Sequence, residues 1–108
     1  MTNGKLKGKA GELELAKVLR MFGYDCRRSV QYNGYAPDGQ PDIIGLPGIH
    51  IECKRVEQLN LYNAVSQSIR DNEDPQALPA VFHRKNRKPW LVTMEIDDWM
   101  NLYERANK

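Results

Sequence analysis

Apolar residues change their spacing several times along the chain, and each change marks an element. Over 5–22, Leu15, Val18, Leu19 and Phe22 recur at intervals of three and four, the stripe of an amphipathic helix, and Gly23 is placed to end it. The period then falls to two. Tyr24, Cys26, Arg28 and Val30 alternate with Asp25, Arg27 and Ser29, which predicts a strand. Residues 31–40 hold Asn33, Gly34, Pro37, Asp38 and Gly39 and read as an exposed loop. Two β-rich runs, 41–46 and 49–55, are joined by Pro47-Gly48, and the three together predict a hairpin.

A second helix over 60–71 would turn Tyr62, Val65, Ser66 and Ile69 inward, with Asp74, Pro75 and Pro79 breaking it. Strands over 80–83 and 90–94 flank a basic turn, and Asp97 or Asp98 would cap a last helix that packs Trp99, Met100 and Tyr103. The predicted order is α-β-β-β-α-β-β-α. It fits an α/β fold, a mixed sheet with helices on its faces.

At 108 residues the chain is too short to divide convincingly, so a single domain over 1–108 is expected to carry the whole function. A composition that is 41% hydrophobic and 28% charged fits a globular protein and argues against disorder. No apolar run approaches the roughly 20 residues of a membrane span. The basic N-terminus is not followed by an apolar stretch and a cleavage site, so a cytoplasmic location is expected. Cys26 and Cys53 match neither a disulfide framework nor a zinc spacing, and read as buried thiols.

A net charge of +2 does not mark a nucleic-acid binder by itself. The local distribution says more. Cations gather at Lys5, Lys7 and Lys9, at Arg27 and Arg28, at Lys54 and Arg55, and at Arg84, Lys85, Arg87 and Lys88. Each group alone is an ordinary solvated face, whereas four of them, with Tyr24, Tyr32 and Tyr35 close to one, suit a surface that meets phosphates.

The hairpin carries the chemistry. Side chains alternate along 49–54, so His50, Glu52 and Lys54 share one face while Ile49, Ile51 and Cys53 share the other. Folding about Pro47-Gly48 sets Asp42 opposite Glu52 to within a residue of register, where neighbouring side chains lie about 5 Å apart. Two adjacent carboxylates repel, and a divalent cation lets both stay ionised. Magnesium takes one or two carboxylates together with waters and phosphate oxygens, which points to a phosphate ester as substrate. An isolated Glu-x-Lys is more often a polar strand face. Here the preceding Asp42 and the apolar opposite face, Ile43 and Ile51, favour catalysis.

Pro41-Asp42, nine residues, then Glu52-Cys53-Lys54 resembles the signature of the PD-(D/E)xK nucleases. The resemblance implies a restriction-endonuclease-like fold and hydrolysis of DNA phosphodiesters with Mg2+, for which Mn2+ substitutes. Within that superfamily, Lys7-Gly8 followed by Glu12, the Arg-rich strand after Gly23, Pro41 to Ile44, Ile51 to Lys54, and Tyr62 and Gln67 look like the archaeal-type and phage Holliday junction resolvases. The similarity spans 7–67, and the last third resembles no family. It implies Glu12, Asp42, Glu52 and Lys54 as catalytic residues, and Glu12, Asp42, Glu52 and the backbone carbonyl of Cys53 as metal ligands. Lys7, Lys9, Arg27, Arg28, Ser29, Arg55 and Gln67 are the expected DNA contacts. Gln67 nonetheless falls away from the Tyr62-Val65-Ile69 stripe, and Glu12 reads equally as a surface helix residue.

The chain also departs from the resolvase pattern, since Ser29 and the long 31–40 loop stand where a Gly-Ser segment is usual. Tyr32 and Tyr35 in that loop suit either stacking on bases at a branch point or ordinary loop packing. His50 faces the same side as Glu52, although a lone strand histidine is more often structural, and His83 borders the basic turn. The leading expectation is a resolvase acting on branched DNA as a homodimer, because symmetric cleavage needs two sites related by a two-fold axis. Trp90, Trp99, Met100 and Tyr103 are candidates for its interface, or for the core. The alternatives are a flap or nick nuclease of the VRR-NUC type, from a phage or mobile element, and a DNA-binding module without catalysis.

Overall fold

A first helix, α1 (Gly4–Met21), buries Leu15, Ala16 and Leu19. Their spacing of one and three to four residues keeps them on one face. The computed structural model describes residues 4–29 and 39–108, with side chains from residue 8 onward. The side chains of Lys5 and Lys7, and Tyr32 and Tyr35 of the expected 31–40 loop, therefore lie outside the described residues. Phe22 does not join the stripe and is 74% exposed, because the helix stops at Met21 and the Gly23 N–H turns back onto the Arg20 carbonyl.

Among the described residues five strands form one sheet in the order β1 (Arg27–Arg28), β2 (Ile43–Ile44), β3 (Ile49–Arg55), β4 (Leu78–Arg84), β5 (Leu91–Thr93). Of these strands β3 and β4 pair in parallel, and the other described neighbours are antiparallel. A parallel pair needs a crossover, which α2 (Leu61–Asp71) supplies. The turn between β2 and β3 is closed by the Ile49 N–H on the Leu46 carbonyl, with Gly48 at φ +83°. Pro47 followed by a left-handed glycine is the requirement of a type II turn.

Two expectations, one about a breaker and one about a helix cap, are corrected. Pro79 does not end an element but sits inside β4, paired with His50. The Leu78 N–H donates to Gly48, so the next nitrogen along points away from β3, on a side that β5 reaches only from Val81 onward. A residue without an N–H loses nothing there. Neither Asp97 nor Asp98 caps α3 (Ile96–Ala106); Glu95 precedes it without a side-chain cap, and both aspartates lie in the first turn, where the helix dipole favours them.

The two faces of β3 have different fates. Ile51, with Ile49 and Cys53 partly buried on the same side, packs with Leu15, Ala16, Leu19, Cys26, Ile43, Ala80 and Phe82 under α1. On the other side α2 covers β3 and β4, buries Ala64 and Ser68, and leaves Tyr62 89% exposed. The predicted inner face of α2 is thus rotated. Small residues let the helix sit close to the strands, where Tyr62 and Ile69 would hold it off. The last helix also departs from expectation. α3 buries none of its residues: Trp99, Met100, Leu102 and Tyr103 are all exposed, and the Trp99 and Tyr103 rings stack on each other at 5.3 Å. Trp90, by contrast, packs against the core.

Candidate active site

Antiparallel pairing of Ile43 with Ile51 brings Asp42, one residue further out, against the strand beside Glu52. The Asp42 N–H donates to the Ile51 carbonyl at 2.8 Å, and its carboxylate accepts the Cys53 N–H at 2.8 Å. These two bonds pin Asp42 to β3 from both its backbone and its side chain. Ser29 steadies the same segment. It is buried, its N–H reaches the Asp42 carbonyl, and its hydroxyl donates to Pro41. The expected DNA contact at Ser29 is therefore occupied in tying β1 to the residue before Asp42.

Glu52 is 3% exposed, paired in register with Val81 of β4. Its carboxylate accepts from His50 Nε2 at 3.2 Å, and His50 is itself 3% exposed. Sequence reasoning placed His50 on this face without giving it a partner. The period-two spacing from Glu52 was the signal available.

Burial pushes the Asp42 carboxyl up to about 7, with the Glu52 charge as the next cause; the Cys53 N–H opposes the shift, and the Glu12 charge adds to it. The same environment pushes the Cys53 thiol up to about 12, burial first and the carboxylates after it. Two carboxylates held together away from water form an oxygen donor set with unrelieved repulsion, which fits a hard divalent cation. Glu12 stands to one side. Its charge is felt at Asp42, but its carboxylate bonds Arg28 at 2.9 Å. Among the described residues no three His, Cys, Asp or Glu side chains gather closely enough to hold a cation unaided. The structure brings Asp42 and Glu52 together and leaves Glu12 paired with Arg28.

Lys54 projects to the α2 side, where its Nζ donates to Gln67 Oε1 at 3.0 Å. Gln67 falls away from the Tyr62-Val65-Ile69 stripe, and the seating of α2 on Ala64 and Ser68 is what turns it toward Lys54. The remaining expected DNA contacts separate into two kinds. Lys9 and Arg27 are exposed. Arg55 is engaged with Glu14 at 3.4 Å and Asn86 at 3.0 Å, and Arg84 also reaches Glu14, so these arginines join α1 to the ends of β3 and β4.

A mixed sheet that presents Asp42, Glu52 and Lys54 from adjoining strands, with a glutamine on the following helix, defines a nuclease of the PD-(D/E)xK class. Residues 3–108 match the family described as "Phage putative PDDEXK endonuclease", and the chain belongs to that family. Among solved structures it is similar to Hjc, a Holliday junction resolvase from the archaeal hyperthermophile Archaeoglobus fulgidus, with 25% identity and a TM-score of 0.61 over 80% of this chain and 75% of that one. No curated protein matches it. Among the described residues no helix is long and apolar enough to cross a membrane.

Proposed function

We propose that the protein is a structure-selective DNA endonuclease that resolves Holliday junctions as a homodimer, using Mg2+ or Mn2+. The observation that carries the proposal is the joining of a buried carboxylate pair, Asp42 and Glu52, to a lysine held in place from α2. Likeness to the archaeal resolvase supports the choice of branched DNA.

Asp42, Glu52 and the Cys53 carbonyl would hold the metal, with Glu12 acting from outside through its charge. When bound, the ion polarises a phosphoryl oxygen and acidifies a water. The chain's own residues do the rest. The Cys53 N–H fixes Asp42, and His50 fixes Glu52, so both carboxylates keep their aim. Gln67 holds Lys54 on the same side of the sheet, where its ammonium orients the attacking water or offsets charge at the phosphorus.

Paired nicks across a junction need two such sites, and the exposed face of α3 is the surface we assign to the second copy. Beside it runs an apolar groove of about 700 Å3 lined by Leu46, Ile49, Phe82, Val92, Trp99 and Leu102.

The test is Mg2+-dependent cleavage of a labelled four-way junction beside flap and linear duplex DNA, with Asp42→Asn and Lys54→Ala. Symmetric nicks are expected, reduced about a hundredfold or more in both variants, which should still bind the junction. Equal cutting of flaps would move the assignment to a flap or nick nuclease. DNA binding without cleavage in either metal would leave a binding module.

A further inference from the structure

Along the side of α2 next to Lys54, residues Asn60, Asn63, Gln67 and Arg70 follow at steps of three, four and three, which places them on one helix face. With Lys54, Leu59 and Ala64 they line an open cleft of about 390 Å3. Along the helix line the Lys54 ammonium sits at Gln67, between Asn63 and Arg70. The line ends at Arg70, which is exposed and has no ion-pair partner among the described residues.

Among the described residues no carboxylate lines this cleft, in a chain with 14 acidic residues against 16 lysines and arginines. Two cations and three amides therefore line a space that shares Lys54 with the expected reaction centre, although the Asn60 Oδ1 is taken up in accepting the Asn63 N–H as the cap of α2. Arg70 in the last turn of α2 also suits the helix dipole. The dipole does not explain why Gln67, which holds Lys54, and Asn63 beyond it continue the same line. From Asn60 to Arg70 the helix rises about 15 Å, close to four base steps of a duplex strand.

We propose that this cleft is a DNA-strand subsite: Arg70 binds a backbone phosphate flanking the scissile one on one side of the Lys54–Gln67 pair, and the Asn63 amide contacts the sugar or base edge on the other side. The inference rests on the nuclease reading and extends it by naming where the strand runs. Phosphate contacts of this kind set register without reading sequence. The subsite would therefore hold the strand so that one particular phosphate lies against Asp42 and Glu52.

The experiment uses the full chain carrying Asp42→Asn, so that binding is read without cleavage. A four-way junction is titrated by fluorescence anisotropy over a range of salt, with a single neutral methylphosphonate moved along the strand near the branch, with and without Arg70→Ala. Arg70→Ala is expected to weaken binding about tenfold and to lower the salt slope by about one. One methylphosphonate position that weakens the parent should have no further effect in the Arg70→Ala chain. Asn63→Asp, which puts a carboxylate in the cleft, should weaken binding in the same direction, and a circular dichroism melt of each variant shows that it is folded. An unchanged affinity and salt slope in folded Arg70→Ala, or full sensitivity at every methylphosphonate position, would overturn the subsite. Because this scan reads binding in an inactive chain, its failure leaves the nuclease reading intact; that reading stands or falls on cleavage by the unmodified protein.

Discussion

Replacing Gly11 by alanine should destabilise the protein, although alanine is the better helix former. A Cβ at Gly11 would lie 2.5 Å from the Arg55 Cβ and 3.1 Å from its Cγ. That is about 1 Å short of van der Waals contact, and the atoms it meets are rooted in a central strand, so α1 itself must move. Overpacking of this severity costs about 3 kcal/mol, while removing glycine from a helix interior returns about 1 kcal/mol, for a net loss of about 2 kcal/mol. For a domain of this size that lowers Tm by roughly 10 °C. Gly8, on the same helix, has nothing within 4 Å of its Cβ position. Gly8→Ala should therefore gain up to about 1 kcal/mol and raise Tm by several degrees. Thermal melts followed by circular dichroism compare the two. If Gly11→Ala were as stabilising as Gly8→Ala, the close seating of α1 on β3, and with it the placement of Glu12, would be refuted.

Other outcomes follow from the site and the surface. His50→Ala removes the donor to the buried Glu52 carboxylate and should raise the half-saturating magnesium concentration about tenfold or more, with His50→Gln recovering part of the loss; a metal titration unchanged in both would mean that the His50–Glu52 bond does not orient the ligand. Trp99→Asp should leave the circular dichroism spectrum of the folded chain unchanged, because the ring is exposed within one chain, yet yield a monomer by light scattering and abolish paired nicking; an unmodified chain that is monomeric at all concentrations would end the dimer proposal. Burial lowers the pKa of His83 below 6.5, so the folded state stays neutral while the unfolded chain takes up a proton. The stability this group contributes is fully present above pH 6.5 and is lost as pH falls from there through the lower pKa of the folded state, and the loss should be smaller in His83→Gln when unfolding is followed from pH 7.5 downward.

The hairpin was legible in the sequence because everything that specifies it is local. Pro47-Gly48 supplies the turn, alternation assigns the faces, and together they put Asp42 beside Glu52. The faces of α2 and α3 were not legible, for a related pair of reasons. Hydropathy marks large apolar residues, but α2 approaches the sheet through Ala64 and Ser68, which carry little hydropathic signal and leave the room the strands need. α3 has the expected apolar stripe, yet a stripe reports only a preference for burial. Which surface satisfies it depends on what else is within reach, and within this chain it is not buried. Pro79 was read as a breaker because its effect depends on which neighbour its nitrogen faces, a property of the parallel pairing of β3 with β4 and not of the tetrapeptide around it.

The division of β3 into a core side and a reactive side also affects how a nuclease is made safely in a cell. Its residues alternate between Ile49, Ile51 and Cys53 on one side and His50, Glu52 and Lys54 on the other. A slip of β2 by one position would turn Ile43 away from the core and set a different residue beside Glu52, because every side chain on the slipped strand changes sides. The same error would weaken the fold and dismantle the carboxylate pair. A mispaired newly made chain would therefore be both unstable and harmless to DNA, and cutting would begin only in molecules that had finished folding.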